Sequence, residues 1–294
     1  MDLKDIETFI AVAQLGSMSA AARQLYVTQP AVSQRIQRIE HEIGCPLFER
    51  IGQKLMLTPS GELFYKRSLL LICDLQEAIR EAKVASNHPL SFTVGMAEAL
   101  STNYFARRIR EFTSLNPNIV LHLRITQNEQ ISNHIVNGLI DVGFRYFWDH
   151  QIQHVEQIKV ATEQIVVVSA FHSKHIPQTP TIHDLSCMNW VTFPSGHMTD
   201  STFHQLFDSI LTIHNIHKGA MIEAESLTAQ KRLVESDLGL GFLPRSLIEE
   251  ELELGSLRIV DVPQLSMQVP IFAVYRLSSA VIDTIEQFVE LILD

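Results

Sequence analysis

Apolar residues recur at spacings of four, three and four at Val32, Ile36, Ile39 and Ile43, which predicts an amphipathic helix over Thr28 to His41. Thr28 suits the N-cap, and Pro30 falls in the first turn, where a missing N–H costs little. On a helical projection the far face carries Pro30, Gln34, Gln37, Arg38 and His41, with Ser33 at its edge and Gln29 and Arg35 on the flanks. No carboxylate enters the helix before Glu40. Such amide, hydroxyl and cationic groups can meet phosphates and the acceptor edges of purines in a major groove. A solvated helix face has the same composition, so the segment alone leaves both readings open.

The preceding pattern favours the groove. Asp2 to Leu15 reads as a first helix with Leu3, Ile6, Phe9, Ile10 and Ala13 on one face. Gly16 and Ser17 break it, and Ser19 is expected to cap a short second helix, AAARQL. Tyr26 to Thr28 then turns the chain into the polar-faced helix, the order of a helix-turn-helix. Gly44, Cys45 and Pro46 end that helix, and LFERIGQKLMLT reads as a hairpin with Gly52 at a polar tip flanked by Arg50 and Lys54. A basic wing of this kind holds phosphates and sets the register of the reading helix.

From Thr58 to about Val84 one long helix is indicated, with Pro59 at its first position. Phe64, Ser68, Leu71, Leu75, Ala78 and Ala82 form a heptad-like stripe, widened by Ile72 and Ile79. It suits a dimer seam better than a face lying on its own domain, because no companion helix is evident nearby. Ser86 to Pro89 reads as a hinge. Beyond it strand and helix patterns alternate. Strands are expected at 91–96, 120–125, 141–144, 164–169, 190–193, 221–224, 239–243 and 269–275. Helices fall at 102–114, 129–137, 202–211, 227–236, 245–253 and 280–293. This is α/β alternation with largely parallel sheets.

Charge sharpens the division. The net charge is −10, yet residues 1–85 hold ten Lys/Arg and ten Asp/Glu. The rest therefore holds 13 of the 23 basic and 23 of the 33 acidic residues, and so the whole excess. The first segment is open to DNA, while the acidic remainder discourages wrapping. A neutral reader has modest affinity per copy, so binding by a dimer or larger assembly is expected. No long apolar run indicates a membrane span, and MDLKDIETF lacks the form of a secretory signal, so a cytoplasmic location is expected. Cys45, Cys73 and Cys187 read as buried thiols. His172/His175, His214/His217 and His150/His154 have the closest metal-like spacings, but no Cys or carboxylate cluster joins them, so no metal is expected. G-x-S-x-G, Walker, H-E-x-x-H and paired C-x-x-C motifs are absent, and the G-x-G of LGLGF runs into strand-like residues. Neither an enzyme nor a cofactor is indicated.

SMSAAARQLYVTQPAVSQRIQRIEHEIGCPLFERIGQKLMLTPSG resembles, without a gap, the signature of LysR-type transcriptional regulators. GLIDVGF and ESLTAQKRLVESDLGLGFLPR are similar to further family motifs. The resemblance implies a winged helix-turn-helix at 1–58, a linker and dimerisation helix with hinge at 59–88, and an effector-binding domain at 89–294. That last domain would be an α/β module of two subdomains, like a type 2 periplasmic binding protein, about 89–161 with 268–294 and about 162–267. Implied partners are double-stranded promoter DNA, a small-molecule effector, a second copy of the chain in a homodimer or homotetramer, and RNA polymerase. DNA-binding residues would be Ser19, Thr28, Gln29, Pro30, Ser33, Gln34, Arg35, Arg38, Arg50 and Lys54. Dimerisation would use Phe64, Leu71, Leu75, Ala78 and Ala82.

By the same resemblance an effector crevice is walled by Glu98, Leu100, Ser101 and Thr102 on one side. Phe193, Pro194, Ser195, Thr199 and Thr202 form the other side, with Gln127, Asn128, Phe144 and Arg145 between them. Ser101 or Thr102 is expected to cap the helix there, and the fork of Arg145 suits a carboxylate. Where the family often has a small or hydroxyl residue, this chain has Glu98, which disfavours a dianion and suits an ammonium. An amino acid or related amine-acid is the hypothesised effector; the alternative is that Glu98 and Arg145 pair with each other or with water while a neutral or aromatic ligand packs near Phe144 and Phe193. Another departure is Gln34, which stands where the family commonly has a basic residue. The competing function is an architectural or replication-associated DNA binder whose C-terminal module only oligomerises.

Overall fold

The computed structural model describes residues 1–52, 54–85, 89–150, 152, 155–177, 179–186, 188–194, 202–217 and 219–293. They divide into two compact units, Met1–Ala82 and Lys83–Asp294.

The first unit holds helices α1 (Leu3–Leu15), α2 (Met18–Gln24) and α3 (Gln29–Ile43). A hairpin of β1 (Phe48–Ile51) and β2 (Lys54–Leu57) follows, and then the long helix α4 (Pro59–Ala85) begins. Asp2 and Asp5 form a reciprocal capping box at the start of α1. Gly16 ends α1 in the left-handed region and Ser17 is already extended, so Ser17 and not Ser19 caps α2, accepting from the Ala20 N–H at 3.3 Å. Ser19 lies inside α2 and is exposed. Thr28 caps α3 through the Ala31 N–H, and Gly44, at φ 84°, closes it. Val32, Ile36 and Ile39 are buried with Phe9, Val12, Ala21, Ala22 and Leu47, whereas Ile43 and Leu3 stay exposed.

The start of α4 is set by close approach. The Thr58 hydroxyl donates to the Pro46 carbonyl at 2.8 Å and accepts from the Gly61 N–H at 3.0 Å. A Cβ on Gly61 would stand 2.0 Å from the Leu47 carbonyl oxygen, so only glycine lets the first turn rest on the chain there. That seating points Phe64 inward, its ring 5.0 Å from Phe9. Phe64, expected in the dimer seam, is therefore half-buried and packs against the core of this unit, and Ser68 is buried. The exposed stripe of α4 begins later, with Leu71, Leu75, Ala78, Ile79 and Ala82.

The second unit runs β3 (Leu90–Ala97), α5 (Asn103–Leu115), β4 (Ile119–Thr126), α6 (Ile131–Val136), β5 (Val142–Tyr146) and the long β6 (Glu156–Ala170). Then come β7 (Trp190–Thr192), α7 (Thr202–Ile213), β8 (Met221–Glu223), α8 (Leu227–Glu235) and β9 (Leu240–Pro244). The chain ends with α9 (Glu249–Leu254), β10 (Leu257–Ile259), β11 (Met267–Tyr275) and α10 (Ile282–Leu293). Among the described residues these strands form one nine-stranded sheet in the order β4-β3-β5-β11-β6-β9-β7-β8, with β10 beside β6. Each end is parallel, β4-β3-β5 and β9-β7-β8. Between them β6 and β11 pair antiparallel from Met267 opposite Ile165 to Tyr275 opposite Glu156, with a register slip at Ile271/Phe272. The apolar run alone predicts β6 only from Gln164. Gln157 and Glu163, both buried, interrupt the apolar pattern and hide its first half.

Gly61→Ala is expected to destabilise the first unit by about 3 kcal/mol, since backbone stands at the new Cβ. Urea unfolding of the full chain measures it. An unchanged midpoint would contradict the seating of α4 on Leu47.

Candidate functional site: nucleic-acid interface and effector crevice

Outward from α3, Gln29, Pro30, Gln34, Gln37, Arg38 and His41 are exposed, and Thr28 is exposed at the cap. Ser33 and Arg35 are half-buried. The two arginines are not idle side chains. Arg35 Nη1 donates to the Thr8 hydroxyl at 2.9 Å. Arg38 Nη1 meets both carboxylate oxygens of Asp5, at 3.2 and 3.1 Å. Asp5 is 1% exposed, so Arg38 supplies the cation for a buried carboxylate. The Arg38 side chain is still 54% exposed, and its other N–H groups remain for an anion. At the far end of α3, the Glu40 carboxylate accepts from the N–H groups of Leu47 and Phe48 at 2.8 and 3.3 Å. This ties the wing to the helix. Arg50 is exposed on β1, and Gly52 turns the hairpin at φ 63°. Lys54 begins β2, but its side chain lies outside the described residues.

In folds like that of the second unit, ligands bind at the carboxyl ends of the parallel strands, which here include β3, β4 and β5. Glu98 follows β3 in a 3₁₀ turn. Its Oε1 accepts from the Ser226 hydroxyl at 2.8 Å and the Thr228 hydroxyl at 3.2 Å. Ser226 is also the N-cap of α8. A carboxylate of one half is therefore seated on the N-terminal turn of a helix of the other, where the helix dipole favours it. Ser226 and Thr228 are functional candidates that sequence reasoning missed. The signal was present, since a serine directly before the predicted helix 227–236 is a cap.

The remaining expected crevice residues divide. Ser101 and Gln127 are exposed, and Thr102, Phe193 and Pro194 are half-buried. Thr102 occupies the N-cap position of α5, but neither it nor Ser101 caps the helix with a side-chain hydrogen bond, so the first-turn amides there have no side-chain cap. Ser195 and Thr199 lie outside the described residues, as does the side chain of Thr202, which opens α7. Phe144 and Arg145 do not line the crevice. All five residues of β5 are buried, because β5 is an inner strand. Strand alternation sends Phe144 into a ring cluster with Phe105 and Phe288, at 5.0 and 5.8 Å. It sends Arg145 toward α6, where its guanidinium bonds Ser132 at 2.6 Å and pairs with Asp149. The Asn128 amide is likewise structural, donating to the Tyr146 carbonyl at 3.3 Å and accepting from its N–H at 2.7 Å. Leu100 is 2% exposed.

Leu100 and Thr102 also border a cavity of about 220 Å³ with Phe105, Glu163, Ser246 and Ile271. Ser246 donates to Glu163 from its hydroxyl at 2.5 Å and from its N–H at 3.3 Å. Burial raises the Glu163 carboxyl above its usual 4.5, the bonds from Ser246 oppose this, and Glu249 adds to the rise. The folded state thus holds this proton more tightly than the unfolded chain. Among the described residues, no three His, Cys, Asp or Glu side chains gather as metal ligands. No described helix is long and apolar enough to cross a membrane. Cys45 is half-buried and Cys73 buried, both as free thiols, and Cys187 lies outside the described residues.

A winged helix-turn-helix joined to an α/β unit of two sheet halves defines a DNA-binding sensor. Residues 3–62 match the family model described as a bacterial regulatory helix-turn-helix protein of the lysR family, and residues 89–294 match the LysR substrate binding domain. The chain belongs to the LysR family, as a transcriptional regulator with a helix-turn-helix DNA-binding domain and an effector-binding domain. The HTH-type transcriptional regulator CbbR of Rhodospirillum rubrum is 31% identical over 93% of this chain and 90% of its own. A probable RuBisCO transcriptional regulator of Thalassiosira pseudonana is 28% identical over 88% of this chain and 86% of its own. Solved structures share the fold. ArgP from Mycobacterium tuberculosis covers 100% of this chain and 98% of its own, with TM-score 0.69 and 19% identity. Full-length CbnR complexed with its target DNA covers 100% of both chains, with TM-score 0.55 and 20% identity.

Two outcomes follow from this geometry. Arg38→Ala is expected to lower stability by about 2 kcal/mol even without DNA, because it strips a charged partner from buried Asp5. Thermal unfolding with DNA absent checks it, and an unchanged midpoint would contradict it. Because the Glu163 pKa is raised on folding, its contribution to stability is full below 4.5 and is lost as pH rises through the folded value. Urea titrations across that window should show a shallower decline for Glu163→Gln than for the wild type. Parallel pH profiles would contradict it.

Proposed function

We propose that the outer face of α3 reads the major groove of a promoter duplex while the wing holds the backbone. Domains run 1–58, 59–88 and 89–294, with subdomains of 89–161 plus 268–294 and of 162–267. The observation that carries this reading is the exposed amide and cation face of α3 at Gln29, Gln34, Gln37 and Arg38, beside the exposed Arg50. The likeness to a regulator solved on its target DNA supports it. The chain acts by binding rather than by catalysis, in the cytoplasm where promoters are. Gln34 reads a base, and Arg35 holds phosphate from the flank once it is released from Thr8 or shared with it. Gln34→Ala should then change preference at one base pair by about 1–3 kcal/mol. Arg35→Ala should weaken all sequences alike and reduce the salt slope by about one unit. Relaxed specificity at a single base pair in Arg35→Ala, in selection experiments on randomised duplexes, would overturn the assignment.

The linker stripe Leu71, Leu75, Ala78 and Ala82 forms a dimer seam, and paired effector domains extend the dimer to a tetramer on two half-sites. Those four side chains are exposed along one helix, which supports the seam. The double variant Leu71→Arg with Leu75→Arg should lose both dimerisation and promoter binding in sedimentation and gel-shift measurements, since buried like charges are costly. Full-strength binding by that variant would remove the seam from the account.

The effector is an amino acid or related amine-acid. Its ammonium takes Glu98, and its carboxylate takes the uncapped first-turn amides of α5. Arg145 is not the anchor, because Ser132 and Asp149 occupy it. Competition for Glu98 with Ser226 and Thr228 couples the ligand to the spacing of the two halves. Calorimetry of the full chain should detect amino-acid binding that Glu98→Gln abolishes. Binding of a dicarboxylate that survives Glu98→Gln, with no amino acid bound, would overturn the ligand class.

A further inference from the structure

The turn between α2 and α3 carries a side chain that folding does not need. Tyr26 has φ 54°, in the left-handed region that glycine or asparagine usually fills just after a helix. Holding a non-glycine residue there costs free energy that some other interaction must offset. The Tyr26 side chain offsets nothing within the fold, since the residue is 95% exposed. Its neighbours Leu25 and Val27 pack against the core instead. The local backbone bonds, Tyr26 N–H to Arg23 and Val27 N–H to Ala22, need no particular side chain.

Its position names the partner. Tyr26 stands two residues ahead of Thr28, the cap of α3, and like Thr28, Gln29 and Pro30 it is exposed. A phenol offers a flat apolar face and one neutral O–H donor, which suits a deoxyribose and a phosphate oxygen. We propose that Tyr26 is a DNA-backbone contact, its ring against a deoxyribose and its hydroxyl donating to a phosphate at the lip of the groove that α3 enters. This rests on α3 being the DNA reader. Because tyrosine is neutral, the contact releases no counterion, so it adds affinity without adding salt dependence. Because sugar and phosphate carry no sequence code, it acts on every duplex alike.

The test uses the full chain with Tyr26→Gly and Tyr26→Phe. The probes are a duplex selected in vitro by the wild-type chain and an unrelated duplex of equal length, titrated over a salt series. Thermal unfolding is recorded without DNA. Tyr26→Gly is expected to melt higher, by roughly 4 °C, because the strain is relieved. It should also bind both duplexes about tenfold more weakly, with the salt slope unchanged. Tyr26→Phe should melt like the wild type and recover part of the lost affinity. Binding by Tyr26→Gly within twofold of the wild type would overturn the proposal. So would a lower melting temperature, or a loss confined to the selected duplex. If Tyr26→Gly behaves as expected while Gln34→Ala leaves base preference unchanged, the Tyr26 contact stands and the base-reading role of Gln34 falls.

Discussion

The reading surface depends on how firmly α3 is held by the rest of its unit, and the ion pair between buried Asp5 and Arg38 ties it to α1. Asp5 is nearly out of water, and its two oxygens also serve the capping box of α1 and the guanidinium of α3. A carboxylate so placed is costly unless a cation meets it. The pair therefore couples the start of one helix to the face of another. Arg35 adds a second tie through Thr8, and Glu40 fastens the wing at Leu47 and Phe48. With its apolar stripe buried and its flanks tied, α3 has little freedom to roll. Its outer amides then keep a fixed spacing, which base recognition requires.

The second unit rests on a different constraint. Within the sheet its two parallel halves are joined by the long antiparallel strands β6 and β11. Such a connection leaves a crevice at the strand ends, where helix N-termini gather. Glu98 spans that crevice to Ser226 and Thr228. The bond is polar and partly exposed, and therefore easily exchanged for a ligand's own groups. A ligand that binds one arrangement of the halves more tightly than another shifts the balance between them.

Periodicity made much of this legible. The stripe of α3, its Thr28 cap and its exposed far face follow from the spacing of four apolar residues. The alternating elements of the second unit follow from runs of apolar residues between turn signals. What the sequence hid was mostly pairing at a distance. Nothing local to Arg38 announces that Asp5, thirty-three positions away, will claim it. Phe64 fits a heptad as well as it fits a core, and only the seating of Gly61 on Leu47 decides between them. Arg145 ends a strand as an anion site would, but an inner strand turns it toward α6. The first half of β6 was obscured because Gln157 and Glu163 are buried polar residues in a strand. Ser17 displaced Ser19 as a cap because Gly16 ends α1 one residue before the predicted break closes.

The central claim is that one helix face reads DNA from the major groove. Methylation interference tests it directly, because dimethyl sulfate marks guanine at N7 in the major groove and adenine at N3 in the minor groove. The account predicts that guanine N7 methylation within two half-sites, about one or two helical turns apart, blocks binding of the full chain. Interference confined to adenine N3, or no interference by either base while binding persists, would contradict it.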